Sequence, residues 1–308
     1  MTAPDLQTAA VRVPCSTSNL GSGFDVLGLA LNRYLDADFQ PGGDRLELQR
    51  AGTLGGLDED PENDFLAIAF RAVLAAHGAE ARGVIHATSH APVGRGLGSS
   101  AMALVAGTAL GRAALGLEHS PSAAFRAAQE HDGHGDNAAP CAYGGLRAVI
   151  PDDDGARVIE LPLSTEVGFA YAAPAMRLST EAARGALPSH IAHPAAVMGH
   201  GRFAGLLRGL ATGDPDLIRI GFIDELHVPY RLPLIPGGAN AMAAGHDAGA
   251  WGVTISGSGS GLVAVCAPEN AGDVAAAMQD VFCAGAGDDD CWGMAMEPDF
   301  VGLVVNPG

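Results

Sequence analysis

Ten residues, Pro92-Val93-Gly94-Arg95-Gly96-Leu97-Gly98-Ser99-Ser100-Ala101, narrow what this chain can fold into more than any other stretch. They join a predicted strand over 83–88 to a predicted helix over 99–115, which is so rich in Ala and Gly that it must be buried. Glycines at every second position let the backbone approach a ligand closely. The helix start behind them offers free N–H groups and partial positive charge, so a phosphate is the natural occupant. Ser99 and Ser100 can add hydroxyls to that phosphate or to its Mg²⁺. A tight turn with a serine N-cap accounts for the same residues equally well. The pattern is not Gly-x-Gly-x-x-Gly, so a dinucleotide fold draws no support.

The chain has 308 residues and no lysine; its 17 basic residues are all arginine. A phosphate loop ending in Gly-Lys, a lysine Schiff base and a Ser-x-x-Lys nucleophile are therefore excluded. A formal net charge of -18 repels nucleic acid and anionic lipid, and neither is expected as a partner. No run of eighteen apolar residues is present, so no membrane span is expected. Residues 1–10 lack a basic cluster ahead of an apolar run, which argues against a secretory signal. Cys15, Cys141, Cys266, Cys283 and Cys291 are odd in number and never spaced Cys-x-x-Cys. They point to reduced thiols in the cytoplasm, with neither disulfide nor zinc site.

Strands are predicted at 10–15, 36–40 and 45–49, then a helix from Phe65 to Gly78 preceded by Asn63-Asp64, and another from Ser120-Pro121 to near Glu130. The segment His131–Gly145 reads as a polar, glycine-rich loop, and 146–150 as a strand. Pro151-Asp152-Asp153-Asp154-Gly155 reads as a hairpin turn, with a domain boundary just beyond it. The second half shows a strand at 167–173, helices over 179–246, strands at 251–255 and 262–267, a helix from Pro268 and strands near 293–305. Helices and strands in segregated blocks make the class α+β, with units at 1–160 and 161–308.

Three further segments cluster polar residues among glycines. Asn19-Leu20-Gly21-Ser22-Gly23-Phe24-Asp25 follows the first strand, and an Asx turn explains it as well as a site does. His134-Gly135-Asp136-Asn137 packs imidazole, carboxylate and carboxamide into four residues, as a surface turn or as a functional loop. Ser256-Gly257-Ser258-Gly259-Ser260-Gly261, taken alone, is a plain hairpin loop.

Together, in this order, the four segments resemble the GHMP kinase superfamily, whose phosphate loop reads Pro-x-x-x-Gly-Leu-Gly-Ser-Ser-Ala without a lysine. Within it the similarity is to the homoserine kinases, through Val13-Pro14, Ser18–Leu31, His134-x-Asp136-Asn137-x-x-Pro140, Ser179-Thr180 with Ala183-Arg184, and Asp224–Arg231. The resemblance runs from about residue 11 to 267. It implies a two-domain GHMP kinase fold, with an N-terminal domain like ribosomal protein S5 domain 2 and a C-terminal ferredoxin-like α/β sandwich. It further implies a homodimer, ATP and Mg²⁺, and phosphorylation of the L-homoserine hydroxyl in threonine biosynthesis. Residues 92–101 would hold the ATP phosphates, with 256–261 packed near them, and Asn63 would lie beside the adenine, although it serves equally as an N-cap. Asn19, Asp25, His134 and Asp136 would gather around the ammonium and hydroxyl, and Arg184 and Arg231 would fork onto the carboxylate. Ser100 and Glu130 would hold Mg²⁺. Asn137 falls where some members carry an aspartate base, so no single carboxylate is expected to act as general base; a carboxylate-type acid limb in kcat abolished by Asp25→Asn would make Asp25 the base instead. Gly199-His200-Gly201 replaces a region where the family usually has an Asn. A GHMP-type kinase for another small alcohol and a nucleotide-binding relative without catalysis stay open as alternatives.

Overall fold

The computed structural model describes residues 4–57, 60–152, 155–286 and 290–306. In chain order the strands and helices are β1 (Ala9–Ser18), β2 (Leu27–Pro41), β3 (Leu46–Gly52), α1 (Phe65–Ala76), β4 (Gly83–Ser89), α2 (Ser99–Ala114), α3 (Pro121–Asp132), α4 (Ala138–Tyr143), β5 (Leu146–Asp152) and β6 (Gly155–Leu161). There follow β7 (Gly168–Ala173), α5 (Thr180–Gly185), α6 (His193–Thr212), α7 (Pro215–Gly221), α8 (Val228–Arg231), α9 (Gly238–Asp247), β8 (Gly252–Ile255), β9 (Leu262–Cys266), α10 (Ala271–Ala286), β10 (Trp292–Met296) and β11 (Val304–Val305).

The first sheet runs β11-β1-β2-β4-β3, with β5 added to β2 and β6 to β5. Its β3–β4 pair is parallel and its other pairs are antiparallel. Thus the last strand of the chain returns to pair with the first, Val11 opposite Val305. The tip of the β5–β6 hairpin, Asp153-Asp154, lies outside the described residues. The second sheet is antiparallel, in the order β10-β7-β9-β8.

Both faces of the second sheet are buried, and the two-residue period of a strand separates them. Phe169, Tyr171, Val263 and Val265 join the core of the first sheet, while Ala170, Ala172, Leu262 and Ala264 join Met278 and Phe282 of α10 in a separate cluster. The Ala/Gly richness of α2 is explained by close approach to α1: a Cβ on Gly107 would lie 3.0 Å from Ala69 Cβ, and one on Gly111 3.0 Å from Val73 Cβ. The N-cap of α1 is Asp64, whose Oδ1 accepts from Ala67 N at 2.8 Å, so Asn63 is not the cap. Ser120 caps α3 as expected.

Strand β2 begins nine residues before the expected 36–40 and β6 has no counterpart among the expected strands, but the sharpest departure lies at 131–145. His131–Gly145 is not an irregular loop, because α4 forms within it and buries Ala138–Ala142. Six residues are too few to display a helical period, and the burial that stabilises them comes from the surrounding fold.

Candidate active site

Residues 92–101 start from β4 and end in the first turn of α2, and Gly94, Gly96 and Gly98 all have positive φ (70°, 80° and 64°). This left-handed backbone is one that side chains other than glycine seldom adopt. Gly94, Gly96, Gly98, Ser99, Ser100 and Ala101 line a cavity of about 490 Å³. Its opposite wall includes Gly257 and Ser258, so the Ser/Gly loop between β8 and β9 is more than a hairpin tip. That loop is tied down by Ser256 Oγ, which donates to Gly96 O at 2.6 Å, and by Gly257 O, which accepts from Asn19 Nδ2 at 2.8 Å. A second, more apolar cavity of about 450 Å³ shares Phe65, Gly94, Ser99 and Leu178 with the first and is lined also by Val93 and Asn63.

Arg95 does not face either cavity. Its guanidinium is buried, with Nε donating to Pro174 O at 2.9 Å and Nη2 to Ala175 O at 2.5 Å, and so it binds the loop to the second sheet. Leu97 is likewise fully buried in the core, and Pro92 is buried outside both linings. These three side chains face away from both cavities and hold the loop's shape, while Val93, Ala101, the two serines and the glycine backbone line the cavities.

Glu130, the expected metal ligand, lies outside the glycine-loop cavity, whereas Asp132 lines it. Ser100 Oγ lies 3.0 and 3.2 Å from the two carboxylate oxygens of Asp132, inside the glycine-loop cavity. Glu130 is exposed and faces a different depression with Arg126, Gln129 and Arg157. Two residues apart on a helix means about 200° around its axis, so Glu130 and Asp132 cannot share a face. Asp132 is the last residue of α3, and Gly133 at φ 75° ends the helix there.

Asn137 sits at the start of α4, with Nδ2 donating to Ser18 Oγ at 2.8 Å and Oδ1 accepting from Ser16 Oγ at 3.0 Å. Ser16 and Ser18 are fully buried. Neither was singled out from the sequence, although a Ser-Thr-Ser run closing an otherwise apolar strand is a visible signal. A Cβ on Gly98 would press on Ser16 Oγ and come within 2.9 Å of Asn137 Oδ1. Gly98→Ala is therefore expected to destabilise the fold by about 1–3 kcal/mol through backbone strain and to weaken ATP binding roughly tenfold. Thermal melts and titration calorimetry check both.

Beyond Asn137 the charged residues converge. His134 Nδ1 is 2.8 Å from Asp136 Oδ1. That hydrogen bond raises the His134 pKa. Burial opposes ionisation of Asp136, but the His134 bond and charge outweigh it and hold the carboxyl below its usual range. Asp25 accepts both arms of Arg184, at 3.0 and 2.9 Å, and its backbone N–H donates to Asn19 Oδ1 at 2.8 Å. The Asp25 bond raises the Arg184 pKa. Arg231 is fully buried, with Nε donating to Ala183 O at 3.1 Å and Nη1 to Gly257 O at 3.3 Å. Burial and then the nearby Arg184 charge lower its pKa. Its bond to Ala183 O and its contact with the Phe24 ring set Arg231 beside the residues that precede Arg184 and Asp25. Neither fork is free, since Arg184 holds Asp25 and Arg231 spends two of its nitrogens on carbonyl oxygens. Gly199 and Gly201 lie in the exposed first half of α6, where an added Cβ would meet nothing within 4 Å.

Residues 64–145 match the model of the GHMP kinases N-terminal domain, and residues 206–282 that of the GHMP kinases C-terminal domain. A homoserine kinase of Parasynechococcus marenigrum is 39% identical over 277 residues, covering 88% of each chain. The chain belongs to the homoserine kinases of the GHMP kinase family. A homoserine kinase of Moorella thermoacetica is also 39% identical, over 83% of this chain and 86% of its own. The crystal structure of homoserine kinase from Cytophaga hutchinsonii superposes with a TM-score of 0.84 at 31% identity, over 99% and 98% of the two chains. Mevalonate kinase of L. major, at 14% identity and a TM-score of 0.68, shares the GHMP kinase fold alone.

Proposed function

We infer that the chain transfers the γ-phosphoryl group of ATP to the side-chain hydroxyl of L-homoserine, forming O-phospho-L-homoserine and ADP in the cytoplasm. The observation that carries this reading is the Asp25–Arg184 pair, with Arg231 bonded to Gly257 O of the loop that lines the glycine-loop cavity. An α-amino acid brings one cation and one anion on neighbouring atoms. A carboxylate and two guanidinium groups answer that charge pattern, whereas a sugar offers nothing to either. On binding, the ammonium takes up Asp25 and the carboxylate takes up Arg184, so each partner of the ion pair exchanges one charged neighbour for another.

ATP fits the other end. Its base enters the apolar cavity near Asn63 and Val93, and its phosphates meet the N–H groups of 94–101. Ser100 Oγ and the Asp132 carboxylate are oxygen ligands at the phosphate end, and they would hold a hard cation such as Mg²⁺. When bound there, the ion neutralises charge developing on the transferring and leaving phosphates. The protein's own part is positioning. Asn137 is clamped by Ser16 and Ser18 and has no basicity, which suits a loose transition state that needs alignment more than proton abstraction.

An ATP-consumption assay against homoserine, threonine, serine, mevalonate and galactose tests the reading. Homoserine is expected to exceed every other acceptor by about 100-fold or more in kcat/KM. Mevalonate or galactose in first place would move the chain to another GHMP specificity, and no consumption with any acceptor would make it a silent relative.

A further inference from the structure

His227 lies outside the chemistry described above, yet its ring is fully buried and neither ring nitrogen has a hydrogen-bond partner among the described residues. The nearest acidic oxygen, Asp224 Oδ2, is 3.8 Å from Nε2 and already accepts from the backbone N–H groups of His227 and Val228 at 2.8 and 2.7 Å. Burial pushes the imidazole pKa down to about 4, aided by Arg231 and opposed by Asp224, by the backbone of Asn19 and by Asp25. The ring is therefore neutral near pH 7.

It does make a stack. The Phe24 ring lies nearly parallel to it, 5.1 Å between centroids and 20° between planes. His227 and Arg231 are one helical turn apart, with Arg231 N donating to His227 O at 2.9 Å, so their side chains leave the same face. The Arg231 guanidinium carbon is accordingly 5.1 Å from the centroid of the same Phe24 ring. Phe24 immediately precedes Asp25, in a loop where Asn19 and Asp25 hold left-handed backbone at φ 62° and 56°. A loop strained at two such residues keeps its shape only where its surroundings hold it.

We propose that His227 is a positioning residue for the acceptor substrate, whose ring, acting on Phe24 as an aromatic surface and not as an acid, base or ligand, keeps the Asn19–Asp25 loop and Arg231 in register. The proposal rests on the homoserine reading.

Two substitutions separate the ring from its nitrogens. In His227→Ala the homoserine KM is expected to rise about tenfold, with kcat and the ATP KM within about twofold of the parent. In His227→Phe all three stay within about twofold. Phe24→Leu should reproduce the alanine phenotype and add little to it in the double variant, because both remove one contact. Should His227→Ala not fold, His227→Phe against Phe24→Leu makes the same comparison. A phenylalanine variant as poor as the alanine one, or a loss in kcat with KM unchanged, overturns the proposal.

The second readout needs no substrate. A histidine whose pKa is lower folded than unfolded gives stability that is complete above pH ~6.5 and is lost as pH falls towards about 4. The parent's Tm should therefore drop more steeply over that window than that of His227→Phe. Equal acid slopes would overturn the buried neutral ring. A parent that ignores homoserine while this difference holds would refute the substrate reading and leave the ring's packing role standing.

Discussion

Replacing Asp132 by Asn is expected to lower kcat by about 10²- to 10³-fold, the several kcal/mol contributed by a correctly held cation converted to rate. Nucleotide binding should be nearly unchanged, because the backbone N–H groups of the glycine loop remain. Ser100→Ala should act in the same direction, and the double variant should be little worse than Asp132→Asn alone, if the two hydrogen-bonded side chains hold one ion as proposed. Glu130→Gln is the control and should turn over within about twofold of the parent. Steady-state kinetics across a Mg²⁺ titration decide the matter. A collapse in the Glu130 variant with normal rates for Asp132→Asn would return the metal to the exposed face of α3 and undo the assignment.

The second large effect concerns Arg184. Its alanine variant should raise the homoserine KM about tenfold, towards the lower end of what a charge-assisted contact is worth because the side chain is 37% exposed. The ATP KM should barely move. An analogue carrying a hydroxymethyl group in place of the carboxylate should be a poor substrate for the parent and lose little more in Arg184→Ala. If the analogue is penalised as heavily as homoserine, Arg184 serves Asp25 and the fold, and the amino-acid reading loses its physical support. Arg231→Ala is the less clean variant, since it also strips two buried carbonyl oxygens of their donor.

Most elements of this fold were legible because they carry local signals. The α1 apolar period, the Ser120-Pro121 start of α3 and the glycine loop ahead of α2 each depend on residues close in sequence. The glycine loop and the set Asn19, Asp25, His134, Asp136, Arg184 and Arg231 were marked out through the resemblance, as residues in a fixed order. Their individual duties were less legible. Arg95 reads as a cation in a phosphate loop until its guanidinium is seen bonded to the backbone at 174 and 175, 79 and 80 residues away. Glu130 and Asp132 are interchangeable on paper, and the helix phase at Gly133 alone separates them.

By itself, then, the sequence determined which backbone can curl left-handed at 94, 96 and 98, which helices are buried, and which chemistries a lysine-free chain lacks. Those properties belong to single residues and their near neighbours, so they survive without a fold. What only the tertiary structure decided is direction: Asp132 towards Ser100, Arg184 onto Asp25, and His227 against Phe24. Each of these joins residues 32, 159 or 203 positions apart. A side chain's partner is set by the packing of whole elements, and no local pattern encodes it.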